Sequence, residues 1–104
     1  MSLSTHVLDA VNGRPAAGLR VSWFAEALVA TRETDADGRI TDWGADLTPG
    51  VHRLVFATGE WFAARRQPTF YPEVSVAFEV TDAAAHHHVP LLLSPFAYST
   101  YRGS

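Results

Sequence analysis

The chain has 104 residues, 47% of them apolar, and no cysteine. That is the size of one domain (residues 1–104) with one two-layer core, and it excludes a disulfide framework, a thiolate nucleophile and a cysteine-held metal. A net charge of -3, with no basic run longer than Arg65-Arg66, leaves no stripe for a nucleic-acid partner.

Along the chain, turn residues recur at short intervals: Asn12-Gly13, Asp37-Gly38, Pro49-Gly50, Gly59, Pro68, Pro72 and Pro95. Between them the sequence predicts strands at Thr5 to Leu8, Leu19 to Phe24, Leu28 to Arg32 and Val51 to Phe56, then at Glu73 to Val80, His86 to Leu93 and Ala97 to Arg102. In Val51 to Phe56, His52, Leu54 and Phe56 share a face; in the next strand Val74, Val76, Phe78 and Val80 do so. Thr58 to Arg66 breaks the alternation, with Trp61, Phe62 and Arg65 at helical spacing, and predicts a helix of about two turns. Seven or eight short strands so spaced point to an all-β antiparallel sandwich. The longest apolar run, Val89 to Leu93, is too short for a membrane span. Met1 to His6 lacks the basic and apolar regions of a secretory leader.

Polar residues inside apolar strands carry the information, because burying one unpaired costs about 1–3 kcal/mol. Period two puts His6 and Leu8 on one face of the first strand and Thr5 and Val7 on the other. In His86-His87-His88-Val89-Pro90-Leu91-Leu92-Leu93, the set Val89, Leu91, Leu93 reads as core-facing. His86 and His88 then project from the opposite face, and His87 faces inward. His6 with two such histidines permits a three-histidine zinc site, although the spacing is not diagnostic and no supporting carboxylates are evident. The other reading of the same residues is an acid/base pair, since imidazole titrates near neutral pH. Arg39, after the Asp35-Ala36-Asp37-Gly38 turn, and the Tyr101-Arg102-Gly103-Ser104 end read locally as a surface residue and a frayed terminus.

Two terminal motifs then bear a resemblance. Ser4-Thr5-His6-Val7-Leu8-Asp9 with Asn12-Gly13-Arg14-Pro15-Ala16, and the whole segment His86 to Ser104, resemble the opening and closing signatures of the transthyretin-related family. Thr34 to Arg39 and Phe70-Tyr71-Pro72-Glu73-Val74 match its middle, so the likeness covers essentially the whole chain. The final Tyr-Arg-Gly-Ser is similar to the mark that separates the family's 5-hydroxyisourate hydrolases from its hormone carriers. The resemblance implies a transthyretin-like (prealbumin-like) sandwich of two four-stranded sheets with one short helix. It further implies a homotetramer with its sites in a central channel, and hydrolysis of 5-hydroxyisourate without a cofactor or metal. Carried over by position, His6 and His88 form the acid/base pair and Arg39 meets the substrate's carbonyl edge. Tyr101 closes the channel floor, and Ser104 fixes a histidine tautomer or the water. Two departures stand out: His87 where the family usually has tyrosine, and Phe96-Ala97 in place of Tyr-Gly. With no peroxisomal C-terminal tripeptide, a cytoplasmic location is expected. The rival reading is a hormone-like small-molecule carrier on the same fold.

Overall fold

The computed structural model describes residues 3–104; Met1 and Ser2, the start of the segment read as lacking a leader, lie outside the described residues. The strands are β1 (Leu3–Asp9), β2 (Arg14–Pro15), β3 (Arg20–Phe24), β4 (Leu28–Glu33), β5 (Arg39–Ile40) and β6 (Gly50–Phe56). Helix α1 (Thr58–Ala64), the single helix among the described residues, follows, then β7 (Val74–Val80), β8 (His87–Ser94) and β9 (Ala97–Thr100). Among the described residues no helix is long and apolar enough to cross a membrane.

Two sheets face each other. One runs β4-β3-β6-β7, and the other β2-β1-β8-β9 with β5 also paired to β1. Arg14–Pro15 pairs with the Leu8–Asp9 end of β1 and Arg39–Ile40 with its Thr5–His6 part, along the edge opposite β8. The second sheet therefore has five strands but is four strands wide, as the resemblance implied. The two extra strands escaped the sequence because two residues between Gly-containing turns carry no period. One pairing also departs from the antiparallel expectation. β1 lies parallel to β8, from Leu3 opposite His87 to Asp9 opposite Leu93. These strands stand far apart in the chain, so no hairpin fixes their relative direction.

The alternation places the core as read. Val7, Val21, Trp23, Leu54, Phe56, Val74, Val80, Leu91 and Leu93 are buried between the sheets. His52 belongs to this interior as a satisfied polar group: its Nδ1 accepts from Trp23 Nε1 at 3.0 Å and its Nε2 lies 2.7 Å from the Thr48 carbonyl. The helix buries Trp61 and Phe62, and Trp61 Nε1 donates to the Ala17 carbonyl at 2.8 Å. It stops before the expected Arg66. Arg66 adopts φ 56, and Arg66 and Gln67 donate to Ala63 and Phe62, closing the last turn.

Candidate active site

β1 presents His6, and the ladders on its two edges decide what surrounds it. On one edge His6 is opposite Arg39 in the antiparallel pairing with β5. On the other, Ser4 is opposite His88 and His6 opposite Pro90 in the pairing with β8. Residues opposite one another project to the same face. With Thr5, Val7, Val89 and Leu91 committed to the core, that face is the outer one. His6 and His88 are each half-buried there, and Arg39 is exposed.

Arg39 is held by its turn. Gly38 N donates to the Asp35 carbonyl at 2.9 Å, and Asp35 Oδ1 accepts from Asp37 N and Arg39 N at 2.9 and 3.0 Å. The Gly38 carbonyl then accepts from Val7 N at 2.8 Å, tying the turn to β1.

The terminus is ordered by β8. The β8–β9 register sets Leu91 opposite Thr100, and it continues past the end of β9 to a bridge in which Gly103 N donates to the His88 carbonyl at 2.9 Å. Continuing that register puts Tyr101 level with Pro90, on the His88 face. Gly103 packs so closely on His88 that a Cβ there would overlap ring atom Cδ2 and stand 3.0 Å from Cγ. Tyr101 remains 59% exposed. Ser104 is exposed, one residue beyond the bridge.

The hydroxyl that meets His88 belongs to Ser4, whose Oγ lies 2.8 Å from His88 Nδ1 and 3.1 Å from His86 Nε2. Nothing local in the sequence signals this role, since Ser4 and His88 meet only through the parallel pairing. Burial lowers the pKa of His88, hydrogen bonding to the Ser4 backbone opposes that, and the charges of Arg39, His86 and His6 lower it further. His6, Arg39, His86 and His88 thus share one electrostatic neighbourhood. His86 and His88 stack at 15° with ring centroids 6.3 Å apart, and among the described residues no three His, Asp or Glu side chains gather as a metal-binding set. His87 points into the core, 7% exposed, with Nδ1 2.8 Å from the Ala85 carbonyl.

A cavity of about 340 Å³ opens between β7 and β9, lined by Val76, Phe78, His87, Val89, Thr100 and Tyr101 among others. Neither His6 nor Arg39 lines it. The histidine face is an open sheet surface bearing three imidazoles (His6, His86 and His88), a guanidinium and a phenol. Such a set can move a proton and neutralise charge on a small polar ring.

Known proteins resemble this chain along its whole length. The profile of the HIUase/Transthyretin family matches residues 3–103. A Rhizobium meliloti (strain 1021) protein, 5-hydroxyisourate hydrolase 2, is 43% identical, with 98% of this chain and 95% of that protein covered. The solved Klebsiella pneumoniae 5-hydroxyisourate hydrolase is 40% identical and superposes with a TM-score of 0.92, both chains being covered completely. Sea bream transthyretin, solved in complex with thyroxine, is 31% identical with a TM-score of 0.88, covering 99% of this chain and 95% of that one.

Proposed function

The chain belongs to the HIUase/Transthyretin family, and from that premise we propose that it hydrolyses 5-hydroxyisourate to 2-oxo-4-hydroxy-4-carboxy-5-ureidoimidazoline in urate breakdown. The observation that carries this reading is the convergence of His6, Arg39 and His88 on one sheet face. A carrier of apolar ligands has no use for such a set. Identity points the same way: 43% and 40% to the two hydrolases against 31% to the thyroxine-binding relative.

In this reaction water adds to the ring amide carbonyl, the C–N bond breaks, and the ring nitrogen leaves with a proton. His88 is suited to be the base, because its lowered pKa keeps the ring neutral at neutral pH. His6, beside it on the same face, returns a proton to the leaving nitrogen. Arg39 offsets the charge that develops on the carbonyl oxygen, its planar fork matching the substrate's oxygens. Tyr101 bounds the site and hydrogen-bonds the ring, and Ser104 adds a hydroxyl at its rim. No cofactor enters these steps.

Residues 1–104 act as one domain, four copies of which enclose the sites in a central channel. The small chain gains by burying surface between copies, and the open histidine face gains a roof. A cysteine-free chain suits the reducing cytoplasm. The test is spectrophotometric decay of 5-hydroxyisourate with purified protein. His6→Asn, Arg39→Gln and His88→Asn each lower kcat/KM by about 10²–10⁴ without altering the assembly. Near-full activity in His88→Asn would overturn the acid/base assignment, and an inactive wild-type protein would overturn the function.

A further inference from the structure

Ser4 stands between two imidazoles and has one hydroxyl proton to give. Its Oγ reaches His88 Nδ1 at 2.8 Å and His86 Nε2 at 3.1 Å, and its buried position on β1 keeps it there. Two proton arrangements satisfy both contacts when the rings are neutral and the Ser4 proton lies in one of the two hydrogen bonds. In one, Ser4 donates to His86 and accepts Nδ1–H from His88, so the lone pair of His88 sits on Nε2. In the other, His86 donates to Ser4, Ser4 donates to His88 Nδ1, and His88 Nε2 carries the proton. Only the first leaves a base on the outward nitrogen. Gly103 covers the Cγ–Cδ2 edge of His88, and among the described residues no hydrogen-bond partner meets its Nε2.

We propose that His86, acting through Ser4, is a positioning residue for the hydrolysis: His86 Nε2 accepts the Ser4 proton, which obliges His88 to hold its own proton on Nδ1 and keeps Nε2 open to the attacking water. This rests on the reading of His88 as the base. The other charged or titratable groups facing His88 are His6 on β1, Arg39 on β5 and Tyr101 beyond β9.

The test pairs kinetics with imidazole ¹⁵N NMR of the full chain, His88 being identified by loss of its signals in His88→Asn. In the wild type, His88 is expected as the Nδ1–H tautomer. His86→Leu and Ser4→Ala should lower kcat by roughly 10–10²-fold, less than the loss of the acid/base group itself, with KM unchanged. Both should move the His88 proton to Nε2. His86→Gln, whose amide oxygen can accept from Ser4, should restore the tautomer and most of kcat. A wild-type His88 protonated on Nε2, or a His86→Leu variant with unchanged tautomer and kcat, would overturn the coupling. An Nδ1–H tautomer in a protein that does not turn over 5-hydroxyisourate would sink the hydrolase reading alone.

Discussion

At His88, burial disfavours the charged ring and the positive charges of Arg39, His86 and His6 push in the same direction, so the folded state releases this proton below the ordinary 6.5. The neutral base therefore persists into mild acid, and the acid limb of kcat/KM should fall below 6.5. The same shift sets a slope in stability. Between 6.5 and the lower folded value the unfolded chain binds more protons than the folded one, so stability rises with pH across that window. This contribution is neutral above 6.5 and becomes a penalty as pH falls through it. Denaturant midpoints at pH about 8 and about 5.5 measure the slope, and His88→Asn should reduce it. An unchanged slope in that variant would assign the effect to other groups. The faces of His6 and His88 were legible because apolar neighbours in alternation fix the parity of each strand. The part played by Ser4 was not, since its partners lie 82 and 84 residues away. The requirement for glycine at 103 was equally hidden, because it arises from contact with a ring on another strand.

At the scale of the element, the Asp35–Gly38 turn decides where the guanidinium stands. Gly38 has φ 74, and a Cβ there would come within 2.5 Å of the Val7 carbonyl oxygen and 3.1 Å of Pro15 Cβ. Gly38→Ala therefore meets both a left-handed backbone and a backbone clash, at a cost of about 1–3 kcal/mol. Relief requires the turn to lift from β1, which carries Arg39 away from His6. The expected result is a lower Tm together with a fall in kcat/KM of about 10²-fold, as for loss of one charge-stabilising donor. A variant with normal kcat/KM would mean that β5 holds Arg39 without the turn. The Asp-Gly pair announced a turn in the sequence. That it launches a strand beside His6 could not be read from two residues; the resemblance pointed to Arg39 and not to the strand. The short end of α1 has a similar origin: helical spacing of Trp61, Phe62 and Arg65 extends past the point where Arg66 reverses the chain.

For the whole molecule, the distribution of exposed apolar surface argues for company. Phe70, Phe96 and Tyr98 are 73%, 65% and 41% exposed, and Phe70, Tyr71 and Tyr98 form a run of edge-to-face rings with centroids 5.1 Å apart. β4, β7 and β9 each end a sheet, and an uncovered edge strand invites pairing with another chain. A chain of 11.4 kDa has little interior with which to offset such exposure. These features support the proposed tetramer, for which sedimentation should give about four times the chain mass. Placing a carboxylate in the aromatic run by Phe70→Glu should shift the population toward smaller species, because a charge cannot be buried there without a partner. If the channel completes the site, activity per chain should fall with dissociation and recover as protein concentration rises. A wild-type monomer with full activity at micromolar concentration would instead mean that the open face of one sheet, with His6, Arg39, His88 and the ordered tail, suffices for catalysis.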